Sequence, residues 1–437
     1  MASEKKGSKK FLGFGFGPIQ GGLFLREAYR SGSFNRMVIA EIQPEIVQTL
    51  RKEGGMFTVN IAYHDHIEHE EIGPVEIYNP EIPEDQMRII SGIAEADEIA
   101  TAIPSVSFYK SRGSGSIDRM IAQGIRLKKE TAGPDCVVYT AENHNRAAEI
   151  LQEHVMKLLA EPERDWAEEH VQFLNTVIGK MSQVVKDPAE IQEKELATVT
   201  QGLKKAFQVE AFNRILISKI ELKAPFQRGI KAFEEKEDLL PFEEAKLFGH
   251  NAAHALIGYT GRALGLRFVS DIEDVPGFVS FIKNAFIKES GDSLIRKYRG
   301  CDPLFTEEGW RLYTDDLIER MMNPFLGDRI ERVIRDPARK LGWNDRLVGC
   351  MRLAFSQGVQ PSRYAFGAAA ALDYYMKQRR IQETKVSRDL LGEIWGDSKR
   401  DPKEEHFIIQ IIEESQAQFL DWLASGRLNL SELFPDA

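Results

Sequence analysis

Two hydrophobic spacings divide the chain. Up to about residue 223, short apolar runs rich in β-branched residues alternate with amphipathic stretches; beyond it, apolar positions recur with the period of a helix. The segment "KKFLGFGFGPIQGGLFLREAYRSG" opens as a short apolar strand, crosses a glycine-rich turn and becomes helical at Leu23. "RMVIAEI" reads as the next strand and ends at Glu41. "ADEIATAIP" (96–104) and "DCVVYTAEN" (135–143) are further strands that end in small or polar residues. "YHDHIEHEE" (63–71) reads as a polar hairpin. After "RILISKIEL" (214–222) strand-like runs are nearly absent. "FEEAKLFGHNAAHALIGYTGRALG", "FVSFIKNAFIKESGDSLIRKY", "TDDLIERMMNPF", "NDRLVGCMRLAFSQG", "RYAFGAAAALDYYMKQRR" and "EHFIIQIIEESQAQFLDWLAS" all read as helices. "GDSKRDPKEE" is a polar turn between the last of these, in a segment after about 385 with no function to assign.

Strand, glycine turn, helix, strand, acid is the order of a dinucleotide-binding βαβ unit. Glycines at 15 and 17 let the backbone turn tightly and approach a pyrophosphate, and the helix N-terminus offers N–H groups to that anion. Glu41 can accept hydrogen bonds from ribose hydroxyls and repel a 2′-phosphate, which favours NAD over NADP. The expected cofactor contacts are Gly15, Gly17, Pro18, Ile19, Gln20, Glu41 and Ile103. The expected architecture is an α/β Rossmann-type domain with a mostly parallel sheet over 1–223, then an all-α domain over 224–437.

Composition narrows the function. A chain of 437 residues with 43% hydrophobic and 28% charged residues is ordinary for a globular protein of two domains or three. A net charge of −10 argues against nucleic acid as a partner, because phosphate-backbone binders carry a basic footprint. Cys136, Cys301 and Cys350 lie far apart and form no disulfide framework, so a cytoplasmic location is expected. The opening "MASEKKGSKKFLGFGFGP" has too short and too glycine-broken an apolar run for a signal peptide, and no run suggests a membrane span. His64, His66 and His69 tempt towards a metal, but on a strand His69 points away from the other two, so no metal is expected.

"AKLFGHNAAH" (245–254) carries the densest chemistry. At about 100° per residue, Lys246, His254 and Asn251 share one side of a helix. The nearest carboxylate in sequence is Glu244, and a wet surface face is the plain alternative. Asn143 ends a strand where, in an open parallel sheet, a ligand crevice opens. Between 328 and 352 there are seven basic and four acidic residues, against the acidic balance of the whole. Arg335, Arg339 and Lys340 flank Pro337 and are the expected anion ligands, guanidinium forks being suited to phosphate or carboxylate oxygens.

Together these segments resemble the polyol-specific long-chain dehydrogenase/reductase family, from the glycine turn to about residue 370. Its K-x4-N-x2-H motif reads here as Lys246, Asn251 and His254, and "AEN" matches its other catalytic asparagine at Asn143. "ESGDSLIRKY" and "NPFLGDRIERVIRDPARKLGWNDRL" resemble the sugar-phosphate branch. The resemblance implies metal-independent, NAD-linked interconversion of a hexitol phosphate and a ketose phosphate (mannitol 1-phosphate and fructose 6-phosphate). Lys246 would be the general base, Asn143 and Asn251 donors to the substrate oxygen, and His254 would bind a neighbouring hydroxyl or orient Lys246, with His250 a rival for that role placed behind it. An unphosphorylated polyol or a hexuronate (mannitol, fructuronate, tagaturonate) is the alternative substrate, and a non-catalytic NAD-binding sensor the alternative function. The partner is a small sugar or sugar phosphate, and a monomer and a dimer both stay open. Two departures stand out: Gln20 and Gly21 where the family has Gly and Arg, and Gly179 and Lys180 where it continues to an Asp-Arg pair.

Overall fold

The computed structural model describes residues 7–110, 113, 115–381, 388–426 and 429–434. The chain forms two compact units, Met1–Leu240 and Pro241–Ala437.

The first unit is built on twelve strands among the described residues: β1 (Lys9–Phe14), β2 (Phe34–Ala40), β3 (Phe57–Ala62), β4 (Ile67–Ile72), β5 (Glu76–Tyr78), β6 (Glu98–Thr101), β7 (Cys136–Thr140), β8 (Val171–Ile178), β9 (Ser182–Val185), β10 (Ala206–Glu210), β11 (Ile215–Ser218) and β12 (Phe233–Lys236). Eight of them form one sheet in the order β12-β11-β8-β7-β6-β1-β2-β5. All neighbours run parallel except β8 and β11. Chain order reverses between β1 and β6, and at such a switch point an open α/β sheet binds its ligand beyond the strand ends.

Side chains alternate across β1 as a strand buried on both faces requires. Phe11 packs with Leu23, Phe24 and Ile39 on one face, whereas Leu12 and Phe14 pack with Ile89, Ile93 and Ile121 on the other. A smaller sheet, β4-β3-β10-β9, covers the outside of the first helix. That helix is therefore buried on two sides, and Gln20–Leu25 is wholly buried. The expected hairpin over 63–71 is the β3–β4 pair, in which His69 lies opposite Asn60.

The division of the chain falls at Leu240/Pro241, later than the change of pattern at 223/224. The cause is β12, whose "FEEK" shows no apolar alternation yet pairs in parallel with β11 and keeps the chain in the first unit. Only Phe233 of β12 is buried, so the strand is almost silent in hydropathy.

The second unit is helical throughout its described elements. Helix Asn251–Leu264 lies against the alanine-rich helix Ser362–Arg379, where Gly367 has no room for a Cβ beside Leu256. The polar turn near 396–401 separates helices Arg388–Trp395 and Pro402–Ala424. Among the described residues, no helix is long and apolar enough to cross a membrane.

Candidate active site

The glycine turn follows β1. Gly15 has φ +82°, and a Cβ there would meet the Ala102 carbonyl oxygen at 2.8 Å and Ile103 at 3.2 Å. Only glycine tolerates both the left-handed backbone and that approach. A Cβ on Gly17 would meet nothing within 4 Å, so the turn is open on that side. Pro18 and Ile19 lead into the helix, whose first turn has no side-chain cap and leaves its N–H groups for an anion. At the end of β2, Glu41 is 4% exposed. Its Oε2 accepts the Phe16 N–H at 2.7 Å and its Oε1 the Gln43 N–H at 2.9 Å. A carboxylate has about four acceptor positions, so capacity remains for ribose hydroxyls. These features fit a dinucleotide.

The Gln20 departure has a partner in the strand. Gly13 of β1 has no side chain, and a Cβ there would lie 2.1 Å from Gln20 Nε2. The Gln20 amide therefore fills the gap between helix and sheet, and neither of its polar atoms has a hydrogen-bond partner. Gly21 and Gly22 lie against Phe207, Phe57 and Val209 of the smaller sheet, which leaves no room for an arginine at 21. In the other departure, Lys180 is buried and its Nζ donates to the Glu210 and Phe212 carbonyls at 2.5 and 2.7 Å.

Asn143 is exposed, three residues beyond β7 and directly after the buried Glu142. Glu142 Oε1 accepts the Ile103 N–H at 3.0 Å; Oε2 accepts the Thr101 hydroxyl at 2.8 Å and the Tyr109 hydroxyl. Burial pushes the Glu142 carboxyl up, against the pull of these donors.

In the second unit, Lys246 sits in a wide π turn, Ala245–His250, that runs without a break into helix Asn251–Leu264. The Asn251 N–H donates to the Lys246 carbonyl, five residues back. On a regular α-helix these two residues would stand about 140° apart on the side they share; the wider turn brings them closer together on it. Such one-turn insertions recur at functional sites. Gly249 lets the turn pack closely, since a Cβ there would lie 3.0 Å from Phe286 and 3.3 Å from Trp310. A second π turn, Ala285–Gly291, meets the same Trp310, whose Nε1 donates to the Phe286 carbonyl at 2.8 Å.

Lys246 keeps some exposed surface, yet it lies deep enough for burial to dominate its amine. Burial, and then the Arg346 guanidinium, lower its pKa to about 8, with Glu243 opposing. His250 is buried one turn on, and burial, helped by the fields of nearby groups that include Arg320 and Arg346, holds its imidazole well below the usual range. His254 Nε2 lies 2.9 Å from Asp328 Oδ2, at ion-pair distance but turned off the hydrogen-bond direction. Asp328 is 3% exposed and also receives Arg332 at 2.7 Å on each oxygen. Burial alone would raise the Asp328 carboxyl; His254 and Arg332 outweigh it and hold it well below the usual carboxylate range.

The three expected anion ligands differ in state. Arg335 is exposed. Arg339 pairs with Asp336 at 3.0 Å and approaches Asp345 at 3.9 Å. Lys340 is buried and donates to the Arg335 carbonyl; burial, then Arg346 and Arg339, lower its amine to about 8. Arg346, paired with Asp345 at 2.8 Å, is the cation of this segment whose field reaches Lys246 and His250.

The structure thus gathers Lys246, His250, Asn251 and His254 on one continuous helix, and Gly15, Ile103 and Glu41 around one turn. Asn143 belongs to the first unit with that turn. Sequence reasoning missed Glu142, Asp328 and Arg346. Each stood inside a segment already singled out, and the signal for Glu142 was an acid two residues after a fully buried strand. His64 and His66 both lie against Asp65, at 3.4 and 2.7 Å, and all three are exposed. Among the described residues, no group of three His, Cys, Asp or Glu gathers as a metal site.

Residues 9–227 match the mannitol dehydrogenase Rossmann domain and residues 238–419 the mannitol dehydrogenase C-terminal domain. A mannitol-1-phosphate 5-dehydrogenase of Lactiplantibacillus plantarum is 28% identical over 78% of this chain and 80% of its own. One from Bacillus licheniformis is 29% identical over 83% and 87%. Among solved structures, Pseudomonas fluorescens mannitol 2-dehydrogenase, in a ternary complex with NAD and D-mannitol, aligns with a TM-score of 0.72 at 16% identity, covering 98% of this chain and 95% of that one. A substrate-free D-sorbitol dehydrogenase aligns with a TM-score of 0.73 at 14% identity, covering 97% and 95%. At such identities these structures speak for the fold. The two domain matches span nearly the whole chain, and it belongs to the mannitol dehydrogenase family of oxidoreductases.

Proposed function

We propose that this protein is an NAD-dependent dehydrogenase that interconverts a hexitol phosphate and a ketose phosphate, mannitol 1-phosphate and fructose 6-phosphate. The observation that carries the reading is Lys246: an amine lowered to about 8, one wide turn before Asn251 and His254. A free lysine, near 10.4, would stay protonated at neutral pH and could not accept a proton.

The glycine turn and Glu41 would hold NAD(H), which would supply the hydride-transfer chemistry at the alcohol carbon. Lys246 takes the hydroxyl proton during oxidation and gives it back during reduction. Asn251 and Asn143 donate hydrogen bonds to the oxygen as charge develops on it. His254, held by Asp328, binds a neighbouring hydroxyl. Gly15, Gly17, Pro18, Ile19 and Gln20 form the nucleotide turn, with Ile103 beside it and Glu41 on the ribose.

The phosphate is assigned to the basic segment 329–346. Arg335 leads as an exposed guanidinium, and Arg346, whose field reaches Lys246, follows because Asp345 already pairs with it at 2.8 Å. Arg339 and Lys340 are the weaker candidates, since each is engaged by groups of its own segment. That engagement is the one observation favouring an unphosphorylated polyol or a hexuronate instead. The relatives named as mannitol-1-phosphate 5-dehydrogenases favour the phosphate.

The test follows NADH absorbance with fructose 6-phosphate, fructose, fructuronate and tagaturonate in parallel. The highest kcat/KM is expected on fructose 6-phosphate. Arg335→Ala should raise its KM about 10- to 100-fold, the factor that about 1.4 to 2.8 kcal/mol represents, with little change on fructose. Higher wild-type activity on fructose or a hexuronate would transfer the assignment to the unphosphorylated reading. Silence on all four would favour a sensor.

A further inference from the structure

A buried carboxylate that the proposed chemistry does not use joins the two strand ends beside the nucleotide turn. We infer that Glu142 is a positioning residue, fixing Asn143 and the Ile103 turn relative to one another without itself exchanging a proton with substrate. The inference rests on the proposed role of Asn143.

Three donors from separate points converge on this one side chain. Thr101 is the last residue of β6, Ile103 follows it in the turn packed beneath Gly15, and Tyr109 lies in the short helical turn Val106–Lys110. Glu142 itself continues β7 and immediately precedes Asn143. Its own carbonyl accepts the His144 N–H at 2.7 Å, closing a tight turn around Asn143. The backbone of Asn143 is thus held from below by the carboxylate and from beyond by this turn. Neighbouring parallel strands β6 and β7 pair as far as Thr101 and Thr140, and the Ala141 N–H adds one more backbone bond to the Thr101 carbonyl at 2.9 Å. Beyond that bond, the Glu142 side chain ties the segment leading to Asn143 to the Ile103 turn.

The same network explains why the residue is an acid. Three donors need two acceptor oxygens in a buried place, which a carboxylate supplies and an amide does not. Glu142 and Tyr109 are both buried, and the carboxylate is occupied by three protein donors, which suits holding the loops rather than exchanging a proton. A donor displaced by a fraction of an ångström stabilises a developing oxyanion much less well, and misplacement by about 1 Å can cost on the order of 100-fold in rate.

A double-mutant cycle tests this directly. Asn143→Ala, Glu142→Gln and the pair are assayed for kcat, for substrate KM and for the pH profile of alcohol oxidation, with Tyr109→Phe as a milder break that removes one donor. Glu142→Gln should lower kcat about 10- to 100-fold, change substrate KM little and leave the ionisation seen in the pH profile where it is. In the Asn143→Ala background both Glu142→Gln and Tyr109→Phe should cost almost nothing further, because the group they position is gone. Fully additive losses would overturn the positioning role while leaving Asn143 catalytic. A shifted ionisation in Glu142→Gln would overturn it in favour of a proton-transfer role. Wild-type turnover in Asn143→Ala would overturn the underlying reading, and the inference with it.

Discussion

Glu41 accepts two backbone N–H bonds, and that limits how it selects a cofactor. Its carboxylate is anchored by Phe16 and Gln43, so its remaining lone pairs face a fixed direction. A 2′-phosphate placed there would meet a negative charge that cannot swing away. NADH should therefore be preferred over NADPH in kcat/KM. Glu41→Gln replaces one acceptor by a donor and removes the charge, so the ratio should fall about 10-fold or more, on the scale of one charge-assisted hydrogen bond. A wild type that prefers NADPH would remove Glu41 from the ribose; a ratio unmoved by the substitution would show that another group selects the nucleotide. This residue was legible in sequence because its place is set locally, at the end of a strand one helix after a glycine turn. Asp328 was not, since its importance comes from meeting His254, which lies more than seventy residues earlier. The amphipathic pattern records which way a residue faces, and says nothing of which distant partner it meets.

Elements show the same contrast. The strands of the parallel sheet were read from continuous β-branched runs, and the helices from their period, because each buries a broad apolar surface. The π turns at Ala245–His250 and Ala285–Gly291 left no such trace. One inserted residue shifts the phase of a helix without ending it, and only the glycines packed on Trp310 hint at it. The second π turn also places Glu289 at the start of helix Ser362–Arg379, where it accepts the Arg363 and Tyr364 N–H groups at 2.8 and 3.1 Å. Burial outweighs these donors and raises its pKa to about 7. An unfolded glutamate ionises near 4.3. A raised folded pKa means that the stability it contributes is complete below about 4.3 and is lost as pH rises towards about 7. Glu289→Gln, which stays neutral, should therefore gain in Tm relative to the wild type as pH is raised from about 5 to about 8, with at most roughly 3 kcal/mol at stake. Melting curves at several pH values check this; a difference between the two proteins that does not change with pH would contradict it.

At the scale of the whole molecule, two units of different architecture each hold part of the proposed chemistry. The first carries a glycine turn, an anchored acid and Asn143; the second carries an amine lowered by burial on a widened helix. The change from mixed to helical pattern was read from sequence, and the compact units divide about seventeen residues later, after the quiet strand β12. The basic segment was legible as a cluster and not residue by residue, because ion pairs with Asp336 and Asp345 decide which cations are engaged. The measurement that bears most directly on the central claim is the pH dependence of NAD reduction with mannitol 1-phosphate, in the wild type and in Lys246→Ala. Wild-type kcat should rise through a single ionisation near 8, where Lys246 loses its proton. Lys246→Ala should lose about three orders of magnitude or more in turnover, a loss within the range for removing a general base from a site whose parts act as a unit, and should still bind NADH with near wild-type affinity. Turnover close to wild type in that variant, or a profile with the same inflection once Lys246 is gone, would contradict the assignment of Lys246 as the base.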